Sequence, residues 1–340
     1  MVTLKQIAEE LGISITTVSK ALNDYPDVSK KTRRLVRETA QMLNYVPNSF
    51  AVNLRTKESK TIGLIIPEIV HHFFSSVIKG IVSQAEKKGY LVIILQSNES
   101  YDLEKKQIEL LLNKRVDGVL ISLANSTVDL SHLSEVIERD VPMVMFDKIA
   151  KVVKCSKVII DDRDAARKAT QHLIDCGCKR IAHFRGPLIP QNSIDRFLGY
   201  KQALLENNLE YDPSLVFLLN DMSFDEGRKF ASKIIKQHND VDGIFVNTDL
   251  VALGAITEFN QHKIKIPDEI QIVGFSNWFM SSVITPSLTT INQPGYEMGK
   301  KTFKLLHKQI KSKKKNNLYV HKELTLETEL VIRNSTKLKP

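Results

Sequence analysis

The chain has 340 residues, 42% hydrophobic and 26% charged, with 14 glycines, 11 prolines and three cysteines. That is length for about two domains, and the balance excludes a collagen-like, low-complexity or disordered chain and a disulfide scaffold. The formal charge of +9 is uneven: residues 1–60 are basic, residues 300–315 carry eight lysines and no acid, and the long middle is mildly acidic. Phosphate-bearing partners are attracted to such charge, and the amino-terminal basic segment is the better candidate surface.

In chain order, Leu4, Ile7, Ala8 and Leu11 recur at helical spacing, and Gly12 ends that helix. Ser14 is placed to cap a second helix through Val18, Ala21 and Leu22. A third is predicted from Ser29 through Leu35, Val36, Ala40 and Leu43 to Asn44. Pro47 interrupts, Asn48 to Arg55 make at most two turns, and Thr56 to Lys60 read as a linker. Within the first two helices Ala8 permits close approach, Gly12 the tight turn, and Val18 packs one helix on the other. That is a helix-turn-helix, whose second helix presents Ile15, Thr16 and Lys20 to base edges in the major groove. Arg33, Arg34 and Arg37 add a basic surface, with Arg33 expected on a phosphate. The alternative is a helical subdomain with no such role.

Beyond residue 60, apolar strand-like runs alternate with amphipathic helices. Strands are predicted at Ile62–Ile66, Leu91–Leu95, Val119–Ile121, Val144–Phe146, Val158–Ile160, Ile181–Phe184, Val216–Leu218, Gly243–Val246 and Ile270–Phe275. Helices are predicted over 73–88, 102–113, 131–139, 163–176, 195–208, 224–238 and 249–260. Such alternation implies parallel sheets covered on both faces. Nine strands exceed one comfortable sheet, so two α/β lobes with a break near residue 160 are expected, and a ligand cleft at the carboxyl ends of their strands. Lys311, Lys313, Lys314 and Lys315 read as a solvated turn.

No apolar run approaches the length of a membrane span, and no signal peptide is visible. Cys155, Cys176 and Cys178 lack metal-site spacing and read as cytoplasmic thiols. Nucleophile, phosphate-loop, zinc and dinucleotide motifs are absent. His71 and His72 read as loop residues near a cleft; neither a metal nor a cofactor is expected.

The segments Val2-Thr3-Leu4-Lys5-Gln6-Ile7-Ala8, Gly12-Ile13-Ser14, Thr17 through Asn23, Val28 through Arg33 and Leu43 through Asn48 closely resemble the lactose-repressor (LacI/GalR) family of bacterial transcription regulators. The resemblance continues through Thr61 to Ile65, Val116-Asp117-Gly118, Thr248-Asp249, Val273-Gly274-Phe275, Pro286 to Ile291 and Glu329 to Arg333, covering essentially the whole chain. It implies an α/β two-lobed core like periplasmic binding proteins, preceded by an all-α helix-turn-helix head. The implied domains are a DNA-binding head over 1–46, a hinge helix and linker over 47–60, and a core over 61–340. The amino-terminal lobe would take about 61–160 and 292–320, the carboxyl-terminal lobe about 161–291 and 321–335.

The resemblance also implies residue roles. DNA contacts would come from Thr3, Ser14, Ile15, Thr16, Thr17, Ser19, Lys20 and Asn23, from Ser29, Thr32, Arg33 and Tyr45, and from the hinge residues Asn48, Ser49, Ala51, Leu54 and Arg55. Leu54 matches the wedge leucine that enters the minor groove. Effector contacts would come from Phe73 and Phe74, one of them a core residue, and from Asp147, Asn192, Arg196, Met222, Thr248 and Ser276. The fork of Arg196 suits vicinal hydroxyls or a carboxylate; otherwise it pairs with Asp195 or Asp164.

Two departures stand out. Ser276 replaces an acid common in the family, and Met222 an aromatic, with Trp278 available as a stacking surface. Losing the acid favours an anionic effector, a sugar acid or phosphosugar. The expectation is a cytoplasmic homodimeric repressor of palindromic operator DNA, controlled by a sugar or sugar derivative. The rival classes are a stand-alone solute-binding protein and a sugar enzyme. The intact head opposes the first, and the missing acid–base pair opposes the second.

Overall fold

Three hydroxyl side chains start the three helices of the amino-terminal unit. Thr3 and Gln6 form a reciprocal capping box on α1 (Leu4–Leu11), Ser14 accepts from the Thr17 amide at the start of α2 (Ile15–Leu22), and Ser29 accepts from the Thr32 amide at the start of α3 (Lys30–Met42). Each such cap satisfies an amide that the helix leaves unpaired. Gly12 ends α1 at φ +62, a left-handed conformation that a side chain would strain. Ile7, Ala8, Val18, Ala21, Val28, Val36 and Ala40 form the buried centre of this unit, whereas Leu35 on α3 is exposed.

A computed structural model describes residues 2–45, 58–70 and 72–337. The chain divides into two units, residues 1–59 and 60–340. The hinge assignments Asn48, Ser49, Ala51, Leu54 and Arg55, and His71, lie outside the described residues.

The second unit holds two six-stranded sheets. In the first, the order is β11 (Glu323–Leu326), β5 (Ser156–Ile160), β4 (Met143–Phe146), β3 (Gly118–Ile121), β1 (Thr61–Ile66) and β2 (Leu91–Gln96). In the second it is β12 (Glu329–Val331), β10 (Thr289–Asn292), β9 (Gln271–Phe275), β8 (Gly243–Val246), β6 (Ile181–Arg185) and β7 (Val216–Leu218). All pairings are parallel except β10 with β12. Central strands β3, β4, β8 and β9 are buried along their whole length, as strands covered on both faces must be.

Helices α4 (His72–Glu86), α5 (Tyr101–Asn113) and α6 (Ser131–Glu138) serve the first sheet. Helices α7 (Asp162–Asp175), α8 (Gln191–Glu206), α9 (Phe224–Gln237), α10 (Asp249–Gln261) and the short α11 (Met280–Val283) serve the second. Helix α12 (Gly295–Lys314) returns to the first sheet and packs on α4. That crossing is backbone-close: a Cβ at Gly299 would lie 2.1 Å from the Val77 carbonyl oxygen, and one at Gly80 2.2 Å from that of Tyr296.

The chain first passes from the first sheet to the second after residue 160, between β5 and α7. Two expectations are corrected. Residues 321–335 do not belong to one lobe: Glu323 to Leu326 pair in register with Lys157 to Ile160 of the first sheet, so the last crossing lies between Leu326 and Glu329. The lysine run is no turn either. Lys311, Lys313 and Lys314 occupy the last turn of α12 and Lys315 its C-cap, where cations oppose the negative end of the helix dipole. Among the described residues, no helix is long and apolar enough to cross a membrane.

Candidate functional site

The two sheets turn the carboxyl ends of their strands toward one cavity, with about 830 Å³ of empty space including its open mouth. Val70 and His72 reach it after β1, Glu99 after β2, Asn125 after β3, and Asp147 with Lys148 after β4. From the second sheet come Asn192, Ser193 and Arg196 on α8 after β6, Met222 after β7, Asn247 and Thr248 after β8, Ser276 and Trp278 after β9, and Gln293 after β10. This is where open α/β sheets leave loops free to hold ligands. All eight residues singled out for an effector, Phe73, Phe74, Asp147, Asn192, Arg196, Met222, Thr248 and Ser276, line this one cavity. Phe74 is also a core residue at 5% exposure, whereas Phe73 is half-buried.

Arg196 is buried and heavily committed. Its Nε donates to Asp162 Oδ1 at 2.8 Å, its Nη1 to the Asn247 carbonyl at 2.9 Å, and its guanidinium carbon lies 3.7 Å from the centre of the Phe275 ring. The partners anticipated from the sequence are engaged elsewhere: Asp195 with Gln191 and Lys151, Asp164 with Arg167 and Lys168. On the opposite wall, Lys148 donates to Glu99 at 2.5 Å and to Asn125 at 2.6 Å. Asp147 differs. Among the described residues its carboxylate receives two long contacts, from Asn192 Nδ2 and Ser122 Oγ, both at 3.5 Å. Burial raises Asp147 above the usual carboxylate range against the pull of Arg196 and Lys148. Burial likewise pushes Asp162 up to about 7, opposed by Arg196 and reinforced by the negative charge of Asp147.

Three lining atoms, Ser193 Oγ, Asn247 Oδ1 and Gln293 Nε2, are buried without a hydrogen-bond partner among the described residues. Unsatisfied buried polar groups are costly and uncommon, and a ligand is one way to satisfy them. Sequence reasoning missed Glu99, Asn125, Lys148, Ser193, Asn247, Gln293 and Asp162. The usable signal was position, since most of them stand within a few residues of a strand's carboxyl end.

The loop carrying Ser276 and Trp278 is anchored from below. Asp249, fully buried at the start of α10, accepts from the Trp278 amide at 2.7 Å, Ser281 Oγ at 2.8 Å and Thr290 Oγ1 at 2.6 Å. Ser276 and Asn277 both have positive φ, so this loop is held in a conformation that needs such fixing.

In the head, Ile15 and Thr16 project into solvent while Val18 and Ala21 face inward, as the helix-turn-helix reading requires. Lys20 pairs with Asp27 across the following turn. Ser14 and Thr17, and likewise Ser29 and Thr32, bond to each other besides capping, and the Asn23 amide donates to the Ser19 carbonyl. Thr3 is committed to its capping box, and Tyr45 packs against the head's core. Arg33 Nη2 donates to the carbonyls of Tyr25 at 2.8 Å and Val28 at 3.3 Å, and its Nε lies 3.5 Å from Asp24, so its side chain closes the 24–28 turn.

Residues 3–48 match the family described as bacterial regulatory proteins, lacI family, and residues 59–328 that of periplasmic binding proteins and the sugar-binding domain of the LacI family. The chain is 34% identical over 337 residues to the ribose operon repressor of Halalkalibacterium halodurans, covering 99% of this chain and 98% of that one. A solved lac repressor dimer bound to operator and the anti-inducer ONPF is similar at 26% identity and a TM-score of 0.86, covering 98% of this chain and 99% of that one. A LacI family transcriptional regulator from Enterococcus faecium with bound ribose is similar at 26% identity and a TM-score of 0.71, covering 81% and 98%.

Proposed function

The chain belongs to the LacI family of bacterial regulatory proteins, a DNA-binding transcriptional regulator and not an enzyme, and from that premise we propose that a neutral polyhydroxylated sugar bound between its lobes controls its affinity for operator DNA. The observation that carries this reading is the charge balance of the cavity. The two buried cations that line it already have carboxylate partners, Arg196 in Asp162 and Lys148 in Glu99, while Asp147 has no short hydrogen bond among the described residues. A sugar hydroxyl donating to Asp147 gains a charge-assisted bond, whereas a sugar acid would bring a second anion beside it. This balance favours a neutral effector over the anionic one that Ser276 suggested. Ser193, Asn247 and Gln293 supply further polar partners, and Phe73 and Trp278 offer ring faces to the apolar side of a sugar.

The ligand acts by stabilising one arrangement of the lobes, because a ligand that binds two states equally shifts nothing. Thermal-shift screening of neutral sugars, sugar acids and phosphosugars tests the class, since a native-state ligand raises the melting temperature; operator titration with the hit tests control. Neutral sugars are expected to stabilise the protein and to change operator affinity. Stabilisation by sugar acids alone would overturn the reading. In Asp147→Asn, loss of the charge-assisted bond, about 1.5 kcal/mol, is expected to weaken the neutral sugar roughly tenfold.

Operator reading is assigned to Ile15, Thr16 and Lys20. Lys20→Ala is expected to cost about 1–3 kcal/mol at one base pair of each half-site and to relax preference there. Asp27→Asn removes the partner that Lys20 leaves on binding DNA, and is expected to tighten operator binding. An operator selection identical to wild type in Lys20→Ala would place Lys20 outside the reading face.

A further inference from the structure

Helix α12 carries charge that neither the sugar cavity nor the head uses. Lys304, Lys308, Lys311 and Lys315 recur at spacings of four, three and four residues, which places them on one face, and all four are exposed. At 1.5 Å per residue the stripe spans about 16 Å. The acids near α12 serve other lysines: Glu297 pairs with Lys300 and Lys301, and Asp140 with Lys313. No ion pair to Lys304, Lys308, Lys311 or Lys315 occurs among the described residues. Lys308, Lys311 and Lys315 also line a shallow groove with Lys322 and Tyr319, whose hydroxyl has no hydrogen-bond partner among the described residues.

The stripe lies beside the first residue of the core unit. Lys60, the first residue of the core unit, stands 4.8 Å over the Tyr90 ring, and that ring packs edge-on against His307, one turn before Lys311. His307 is held below the usual histidine range by burial and by the positive charge of Lys311, Lys88 and Lys60 together.

We propose that this lysine stripe is an auxiliary DNA-docking surface that contacts phosphates flanking the operator, independent of base sequence. A duplex carries about one charge per 1.7 Å of axis, and a row of cations over this length suits such a backbone without any base contact. The partner class follows from the row of lysines and from its place beside Lys60, the first residue of the core unit.

The experiment uses the full chain and a variant with Lys304, Lys308, Lys311 and Lys315 all changed to Gln. A control variant carries the same charge change on exposed lysines of the other lobe, Lys229, Lys233, Lys236 and Lys263. Operator affinity is measured against salt on a duplex limited to the operator and on one extended by about one helical turn, roughly 10 base pairs, on each side. Losing one phosphate contact per protomer of a dimer lowers the salt slope by nearly 2, at ~0.9 per contact. The stripe variant is expected to show that fall, to lose the advantage of the extended duplex, and to keep wild-type melting temperature and sugar binding, while the control behaves as wild type. An unchanged slope in the stripe variant overturns the proposal, and is the result if the groove serves an acidic protein. An equal loss in the control also overturns it, because net charge rather than this surface would then be responsible.

Discussion

Arg196→Ala is expected to abolish the sugar response and to destabilise the core by about 3–5 kcal/mol, the usual cost of stranding one member of a buried ion pair. The reason is the bond to Asp162, with both side chains less than a tenth exposed. Truncation also leaves the Asn247 carbonyl without its donor and removes the cation from the face of Phe275. The penalty is expected to depend on pH. Asp162 is already raised to about 7 in the folded protein; a carboxyl raised on folding gives stability that is full below its unfolded value near 4 and is lost as pH climbs through the folded value. Without Arg196, the chief influence lowering it, Asp162 keeps its proton in the folded state to higher pH still. The variant is therefore expected to melt closer to wild type at pH 5 than at pH 8. Arg196→Lys keeps a charge but not the fork, and is expected to fall between the two in stability while still losing the response. Denaturant melts at the two pH values, with sugar titrations on folded protein, measure both effects. A pH-independent difference between Arg196→Ala and wild type would show that Asp162 is not the group left stranded.

The same residue marks how far the sequence could be read. Its place in the cleft was legible through the resemblance, which matches Arg196 to a position that contacts ligand in the family. Its partner was not. Asp162 is 34 residues away, at the start of α7, and only the crossing of α7 with α8 brings the two together. Asp195 and Asp164 were nearer in sequence or equally plausible, and neither touches it.

The missed elements share a physical cause. Strands β10, β11 and β12 have three or four residues each. Thr289-Thr290-Ile291-Asn292 is polar for a buried strand, and Glu323 to Leu326 alternates weakly at the sheet's edge. None has the apolar run that revealed β1 or β8. Helix α12 was obscured by its lysines: its buried side, which includes Met298, Phe303, Leu306 and Ile310, is regular, but charge on the opposite face suggested a loop. In the head the converse holds, because caps, turn glycine and inward positions are local features, and local features are what a single sequence displays.

Asp249→Ala is the second substitution expected to have a large effect, and it acts without touching the ligand. The carboxylate takes three donors, the Trp278 amide and the Ser281 and Thr290 hydroxyls, in a fully buried site. Burial raises it above the usual carboxylate range, although these bonds to its charged form pull the other way. Each donor stranded in the interior costs about 1–3 kcal/mol, so the loss is expected to be at least ~3 kcal/mol. Ser281→Ala removes a single donor together with its need for a partner, and is expected to cost only about 1 kcal/mol. The functional consequence follows from the loop. With its anchor gone, the segment holding Ser276 and Trp278 no longer has one conformation, and sugar affinity falls even in the fraction that remains folded. Trp278 is the only tryptophan in the chain, so its fluorescence reports this loop directly. Asp249→Ala is expected to shift the emission to the red under conditions where circular dichroism shows native helix content. An unshifted spectrum with weakened sugar binding would mean that Asp249 influences the cleft by a route other than this loop.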